Sequence, residues 1–200
     1  MSVPRLTVIP VGRMDAAEVE GALARVSKVL RTPVEMREAA TLPKGTEDAA
    51  RGQHLAGTML ALLRAELARL KVSKTVGADP TAPGAQAAGP EAAVFITDVD
   101  LFTPATDAVL GENDLAHSTA LLSVRRLREA FYRRKADPAK QRSRLVKEIL
   151  RAAARIRGLP DCGDLSCALS PSRTVFDVDG KSEHYCAPCW KRLSSGTIRI

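Results

Sequence analysis

The last forty residues of the chain carry all four of its cysteines, as two close pairs that one metal ion can bridge. The pairs are Cys162-x4-Cys167 and Cys186-x2-Cys189, with eighteen residues between them. Four thiolates at such spacings can close a tetrahedral shell around zinc, and a shell with no water position is structural rather than catalytic. Two disulfides, four free thiols or a redox role for the second pair are the alternatives. We expect one structural Zn²⁺ that staples this segment.

The positive charge of the chain is concentrated in one segment. The net charge is +7 over 200 residues, yet residues 125–157 alone hold thirteen Lys and Arg against three acidic residues. This segment could bind nucleic acid or another polyanion. A solvated helical face in an Arg-rich protein is the favoured interpretation, because aromatic residues are scarce and no nucleic-acid-reading motif is present.

No stretch of the sequence has the length and apolarity of a membrane span. The first residues also lack the apolar core and small-residue cleavage site of a signal peptide. We therefore predict a cytoplasmic location and no membrane partner. The ordinary hydrophobic fraction of 45% and the length of 200 residues fit a single domain over residues 1–200.

Periodicity predicts an α/β fold, with strands and helices alternating along the chain. Asp15 and Glu18 have the spacing of a helix-capping box, and Pro138 suits a first helical turn. Residues 76–92, rich in Pro, Gly and Ala, are predicted to be a flexible loop within the domain. The predicted strands are 5–11, 33–38, 92–102 and 119–124, and the predicted helices are 15–31, 53–71 and 138–157.

The order of motifs from Arg151 onward resembles the archaemetzincins, a metzincin-like family of zinc-dependent peptidases. Their signature is HExxHxxGxxHC, then x4-C-x-M and a later C-x-x-C, and this chain keeps Gly158 and the four cysteines in register. Further pieces resembling the family are LTVIPVG, RGQ at 51–53, TDVDL at 97–101 and SVRRL at 123–127. The resemblance implies a compact single α/β domain with a twisted, mostly parallel sheet, packed helices and a C-terminal segment stapled by a structural zinc ion.

The same register implies that the catalytic metal site is altered. The three metal-binding histidines become Arg151, Arg155 and Asp161, and the general-base glutamate becomes Ala152. A guanidinium offers only hydrogen-bond donors and stays protonated, so it cannot bind a cation. We expect Asp161 to pair with one or both arginines, an anion pocket at the same place being the alternative.

These substitutions predict a catalytically inactive archaemetzincin-like protein, not an enzyme, with a cleft that holds a peptide or protein partner in a regulatory role. An extended peptide added to a sheet edge is the expected binding mode. A nucleic-acid-binding protein using residues 125–157 is the alternative, and a repurposed hydrolase is less favoured. The histidines, His54, His117 and His184, have no partner at metal-ligand spacing and are interpreted as ordinary surface or core residues.

Overall fold

A five-stranded mixed sheet carries the fold, and its three central strands are rich in apolar residues. In the computed structural model, which describes residues 5–75 and 92–195, four neighbouring strands are parallel and the fifth is antiparallel at one edge. Three of the parallel strands are buried along their whole length, as expected where helices cover both faces. The strand order is β2 (Val34–Met36), β1 (Leu6–Val11), β5 (Ala92–Thr97), β9 (Thr119–Ser123) and β8 (Gly111–Asp114).

Helices pack on both faces of this sheet because neighbouring residues of each strand point to opposite sides. Val8 and Ile96 face α1 (Ala16–Leu30) and α3 (Pro138–Arg155), and together they form the larger core. Phe95 and its neighbours face α2 (Ala56–Thr75) and form the smaller core. No helix in the described part of the chain is long and apolar enough to cross a membrane.

A second, smaller sheet lies beside the first. It contains β3 (Glu47–Asp48), β4 (Gln53–Leu55), β6 (Leu101–Thr103) and β7 (Thr106–Val109), in that spatial order. The C-terminal part adds two short helices, α4 (Val175–Gly180) and α5 (Ala187–Ser195). The predicted α/β class and the parallel-rich sheet are confirmed.

Several predicted boundaries differ from the observed ones. The helix predicted from residue 53 begins at Ala56, because the backbone N–H of Leu55 donates to Thr46 in the small sheet. Asp15 caps α1 through the N–H of Ala17, but Glu18 pairs with Arg128 instead of completing a capping box. The strands β7 and β8 were not predicted, because they are polar and half-exposed. The predicted loop at 76–92 lies outside the described residues except for Ala92.

Candidate functional site

The C-terminal half of α3 is buried and holds Arg151 and Arg155 one turn apart. Asp137 caps the start of the helix by accepting the N–H of Lys140. The helix is followed by Gly158, whose φ of +83° lets the chain reverse direction. The residues after this turn therefore run back along the last turn of α3, which brings Asp161 to the two arginines.

Asp161 lies between the two guanidiniums. Arg151 Nη2 donates to Asp161 Oδ1 over 2.9 Å, and Arg155 Nε is 3.6 Å from the same oxygen. Arg155 also donates through Nη1 to the carbonyl of Leu159 at 2.6 Å. The side chains of the arginines are 18% and 22% exposed and that of Asp161 is 41% exposed, so water partly screens the pair. One carboxylate thus serves two cations.

A groove of about 400 Å³ runs between α3 and the edge strand β8. Its helix wall includes Arg151, Ala152 and Arg155, which are the positions aligned with the catalytic zinc motif. Ala152 is buried and contributes only a methyl group. Strand residues 111–113 form the opposite wall, and Arg173 closes one side.

The backbone of β8 leaves hydrogen-bonding groups open toward solvent. Ser123 N–H donates to the carbonyl of Leu110 at 2.9 Å, and Glu112 is paired with Leu121 in the same ladder. Because hydrogen-bonded and outward-facing residues alternate in an antiparallel pair, Gly111 and Asn113 present their backbone groups to the free edge. This edge can accept another extended chain.

A buried ion pair lies in the wall of the groove. Lys181 Nζ donates to Glu148 Oε1 at 2.8 Å and to the carbonyl of Ser170 at 3.0 Å, and it also contacts Ser172 Oγ. Ser172 Oγ donates to Glu148 Oε1 at 2.7 Å. The Lys181 side chain is 0% exposed and that of Glu148 is 4% exposed. Burial lowers the pKa of Lys181. The three acceptors, which are Glu148 Oε1, the Ser170 carbonyl and Ser172 Oγ, fix the position of the ammonium group.

Sequence reasoning missed this ion pair. Glu148 and Lys181 are 33 residues apart and belong to no motif, so no spacing rule connects them. The same is true of Arg144, which is 1% exposed and donates to both oxygens of Asp179 at 2.7 Å. Arg144 and Glu148, which look like ordinary helical charges in the sequence, therefore attach α3 to the C-terminal segment through buried ion pairs.

The four cysteines form the predicted metal site. Their sulfur atoms all lie within 4.8 Å of one another, and Cys162 Sγ is 3.7 Å from Cys186 Sγ. A tetrahedral zinc site with Zn–S bonds of about 2.3 Å has sulfurs about 3.8 Å apart, so these residues fit the ion. No other group of three or more such ligands occurs in residues 5–75 and 92–195. The prediction of one zinc ion is confirmed.

Burial and hydrogen bonds act differently on the pKa values of the thiols. Burial raises the pKa of Cys167 and of Cys189. Burial acts in the same direction on Cys186, but hydrogen bonds from the Cys189 backbone and the neighbouring thiols outweigh it and lower the pKa. The backbone N–H groups of Leu169 and Cys186 also donate to Cys167 Sγ, at 3.5 and 3.3 Å. Four thiolates this close together need a positive charge between them, which a divalent ion supplies.

The cysteine cluster is anchored to the same helix that lines the groove. Tyr185 O–H donates to the carbonyl of Leu150 at 2.6 Å, and its ring stacks on Trp190. Cys167 and Cys189 belong to the larger core. A metal ion held by this cluster would therefore attach the C-terminal segment to α3.

Most of the basic segment 125–157 is engaged within the protein. Partners come from distant parts of the chain, as in the pairs Arg126–Asp100 and Arg128–Glu18. The segment is therefore not one continuous free basic face. Its residues with an ion-pair partner are Arg126, Arg128, Arg134, Lys140, Arg144, Arg151 and Arg155.

The histidines do not converge on a site. His54 is buried and bonded through Nδ1 to Thr46 Oγ1 at 2.8 Å. His117 is half-exposed beside Asp114, and His184 is exposed near the cysteine cluster. Their interpretation as ordinary surface and core residues agrees with these positions.

Comparison with known proteins identifies relatives. The profile of Peptidase family M54 matches residues 87–195. The archaemetzincin of Methanocaldococcus jannaschii is 33% identical over 105 residues, which are 52% of this chain and 59% of that protein. The archaemetzincin of Thermococcus kodakarensis is 34% identical over 106 residues, 53% of this chain and 57% of that protein. The matched region thus spans somewhat over half the length of these relatives.

Two solved structures share the fold over nearly the whole chain. A zinc-dependent peptidase from Methanocorpusculum labreanum superimposes with a TM-score of 0.80 at 23% identity, covering 94% of this chain and 100% of the other. Archaemetzincin from Methanopyrus kandleri gives a TM-score of 0.73 at 26% identity, covering 98% and 96%. The resemblance drawn from the sequence motifs is confirmed.

These relatives correct one prediction. The sequence motifs predicted that the chain is not an enzyme, whereas the family profile and the archaemetzincin relatives point to an enzyme. The prediction rested on the loss of one zinc mechanism at four positions, and it gave a repurposed hydrolase too little weight. Because the family profile covers more than half of the chain, this protein belongs to peptidase family M54.

Proposed function

We propose that this family member binds extended peptides in the groove between β8 and α3, and that its zinc ion is structural. The open backbone edge at Gly111 and Asn113 carries the proposal, since a peptide can add to it as a further strand. The groove beside that edge has a volume of about 400 Å³, which is room for side chains of such a peptide. A regulatory role through peptide capture and a cytoplasmic location also stay predictions.

The polyanion alternative has no comparable support. Of the thirteen arginines and lysines in residues 125–157, seven have a carboxylate partner within the described part of this chain. Nucleic-acid binding normally requires several cations free to contact phosphates on one face. Peptide binding is therefore the function that we pursue.

The test compares binding to two variants at one position of the open edge. Asn113→Pro removes an outward backbone N–H, whereas Asn113→Ala keeps it, and the Asn113 Oδ1 atom has no partner to lose. Short Thr/Val-rich peptides are titrated into zinc-saturated protein by calorimetry. We expect Asn113→Pro to weaken binding roughly tenfold, the effect of about 1.4 kcal/mol for one hydrogen bond, and Asn113→Ala to leave it unchanged.

Hydrolysis is measured in the same samples by mass spectrometry of the peptides, since the family is one of peptidases. Equal affinity of the two Asn113 variants would contradict strand addition, and so would the absence of binding to any peptide. A control peptide with alternate backbone nitrogens methylated should lose binding when the methylated residues are those that face β8.

A further inference from the structure

Three arginines from two separate parts of the chain line the groove. Arg151 and Arg155 come from α3, and Arg173 comes from the segment that leads into α4. Arg173 also lines a smaller adjoining cavity of about 200 Å³. Its side chain has no ion-pair partner among the described residues, and the residue is exposed. A guanidinium in this position is available to a ligand.

The carboxylates around the groove do not neutralise all of these cations. Glu148 is committed to Lys181, which leaves it unavailable to the arginines. Asp161 is shared between Arg151 and Arg155. Glu112 on β8 also lines the groove, and burial raises its pKa.

Charge counting then selects the kind of anion. Lys181 and Glu148 are paired inside the wall and cancel each other. The three arginines then stand against two carboxylates, those of Asp161 and Glu112, so one positive charge is left over. A singly charged carboxylate matches that surplus. A doubly charged phosphate would exceed it and would be repelled by the two carboxylates nearby.

Asp161 demonstrates how a carboxylate fits beside these arginines. Only its Oδ1 atom contacts Arg151 and Arg155, at 2.9 and 3.6 Å, and the side chain is 41% exposed. A guanidinium carries five donors in a fixed fork that matches carboxylate geometry. Arg151 donates one hydrogen bond of this kind, through Nη2, and the exposed Arg173 side chain has no carboxylate partner among the described residues.

We infer that the groove selects peptides carrying a carboxylate, which Arg173 receives together with the Arg151–Asp161–Arg155 cluster. This inference rests on the proposed peptide binding. The carboxylate can come from an acidic side chain within the peptide or from its C-terminus. The two sources share the same chemistry, and the experiment separates them.

The test uses four versions of one short Thr/Val-rich peptide, titrated by calorimetry into zinc-saturated protein. The central residue is Asp or Asn, and each version is made as a free C-terminal acid and as an amide. We expect a carboxylate at one of the two places to tighten binding about tenfold, the effect of one charge-assisted hydrogen bond. A preference for Asp assigns the side chain, and a preference for the free acid assigns the C-terminus.

Two variants tie the preference to the groove. Arg173→Gln should abolish most of the discrimination, whereas Arg125→Gln removes an exposed arginine outside the groove and should leave it intact. The preference should also shrink in high salt, because part of the site is exposed. Equal binding of all four peptides would overturn the inference while leaving the proposed peptide binding standing. A preference that survives Arg173→Gln would also overturn the inference and leave the proposed peptide binding standing. If no peptide binds, both the inference and the proposed function are contradicted.

Discussion

Replacing Lys181 by methionine should destabilise the protein strongly, because it removes one partner of a fully buried ion pair. Lys181 Nζ is 2.8 Å from Glu148 Oε1, and the two side chains are 0% and 4% exposed. The substitution keeps the length of the side chain but leaves the Glu148 carboxylate without its cation. Ser172 Oγ remains as a hydrogen-bond donor to Glu148, which offsets only part of the loss.

The magnitude follows from the burial. Removing one partner of a buried pair typically costs about 3–5 kcal/mol, because the remaining charge is uncompensated in a low-dielectric environment. For a protein of about this size each kcal/mol lowers the melting temperature by about 2–4 °C, so we expect a decrease of roughly 6–20 °C. An exposed lysine with a carboxylate partner gives a much smaller effect, below about 1 kcal/mol.

The assay is thermal and urea unfolding of zinc-saturated protein, since metal loss would otherwise mix with unfolding. Lys140→Met is the matched control, because Lys140 pairs with Glu129 while its own side chain is 39% exposed. The double variant Lys181→Met/Glu148→Met removes both charges and should recover at least about 2 kcal/mol relative to the single variant. A single variant within about 1 kcal/mol of the parent protein, or a double variant as unstable as the single, would refute the reasoning.

Three further predictions concern the metal and the other ion pairs. Mass spectrometry of the intact protein should find one zinc ion per chain, and Cys189→Ser should lose the ion and the hydrogen-exchange protection of the C-terminal segment. The hydrogen bonds from Arg144 lower the pKa of Asp179, so this carboxylate stabilises the fold above its unfolded pKa of about 3.9. That stabilisation is lost as the pH falls below this value. The variant Asp179→Asn should therefore show a flatter dependence of the free energy of unfolding on pH below about pH 4. Asp161→Asn should change the free energy of unfolding by less than about 1 kcal/mol, because water screens its pairing with Arg151, and a larger loss in urea unfolding would contradict this.

Local patterns in the sequence identified the main elements of the fold. Strand β1 and helix α3 are long apolar or periodic segments, and their predicted bounds differ from the observed ones by two residues at most. The polar strands β7 and β8 escaped prediction because half-exposed residues give no clear alternation. One of the two walls of the groove was therefore absent from the sequence-based picture.

Ion pairs between residues far apart in the sequence changed the interpretation of the basic segment 125–157. The basic segment 125–157 suggested a polyanion-binding face, yet its partners include Glu18, Asp100 and Asp179, which lie far away in the sequence. A local charge count cannot include carboxylates that only the folded chain brings close. The same limitation hid the Glu148–Lys181 pair.

The sequence by itself determined the cysteine site, because each Cys pair is a local clamp whose short spacing requires little from the rest of the fold. It also determined the order of the motifs and hence the resemblance to a family. The same resemblance placed Asp161 beside Arg151 and Arg155, and the contacts at 2.9 and 3.6 Å agree with it. Tertiary structure alone decided what else surrounds the two arginines, since β8 and Arg173 arrive from other parts of the chain. Contacts between residues far apart in sequence depend on the packing of whole elements, and that packing made an arginine-lined groove beside an open strand edge.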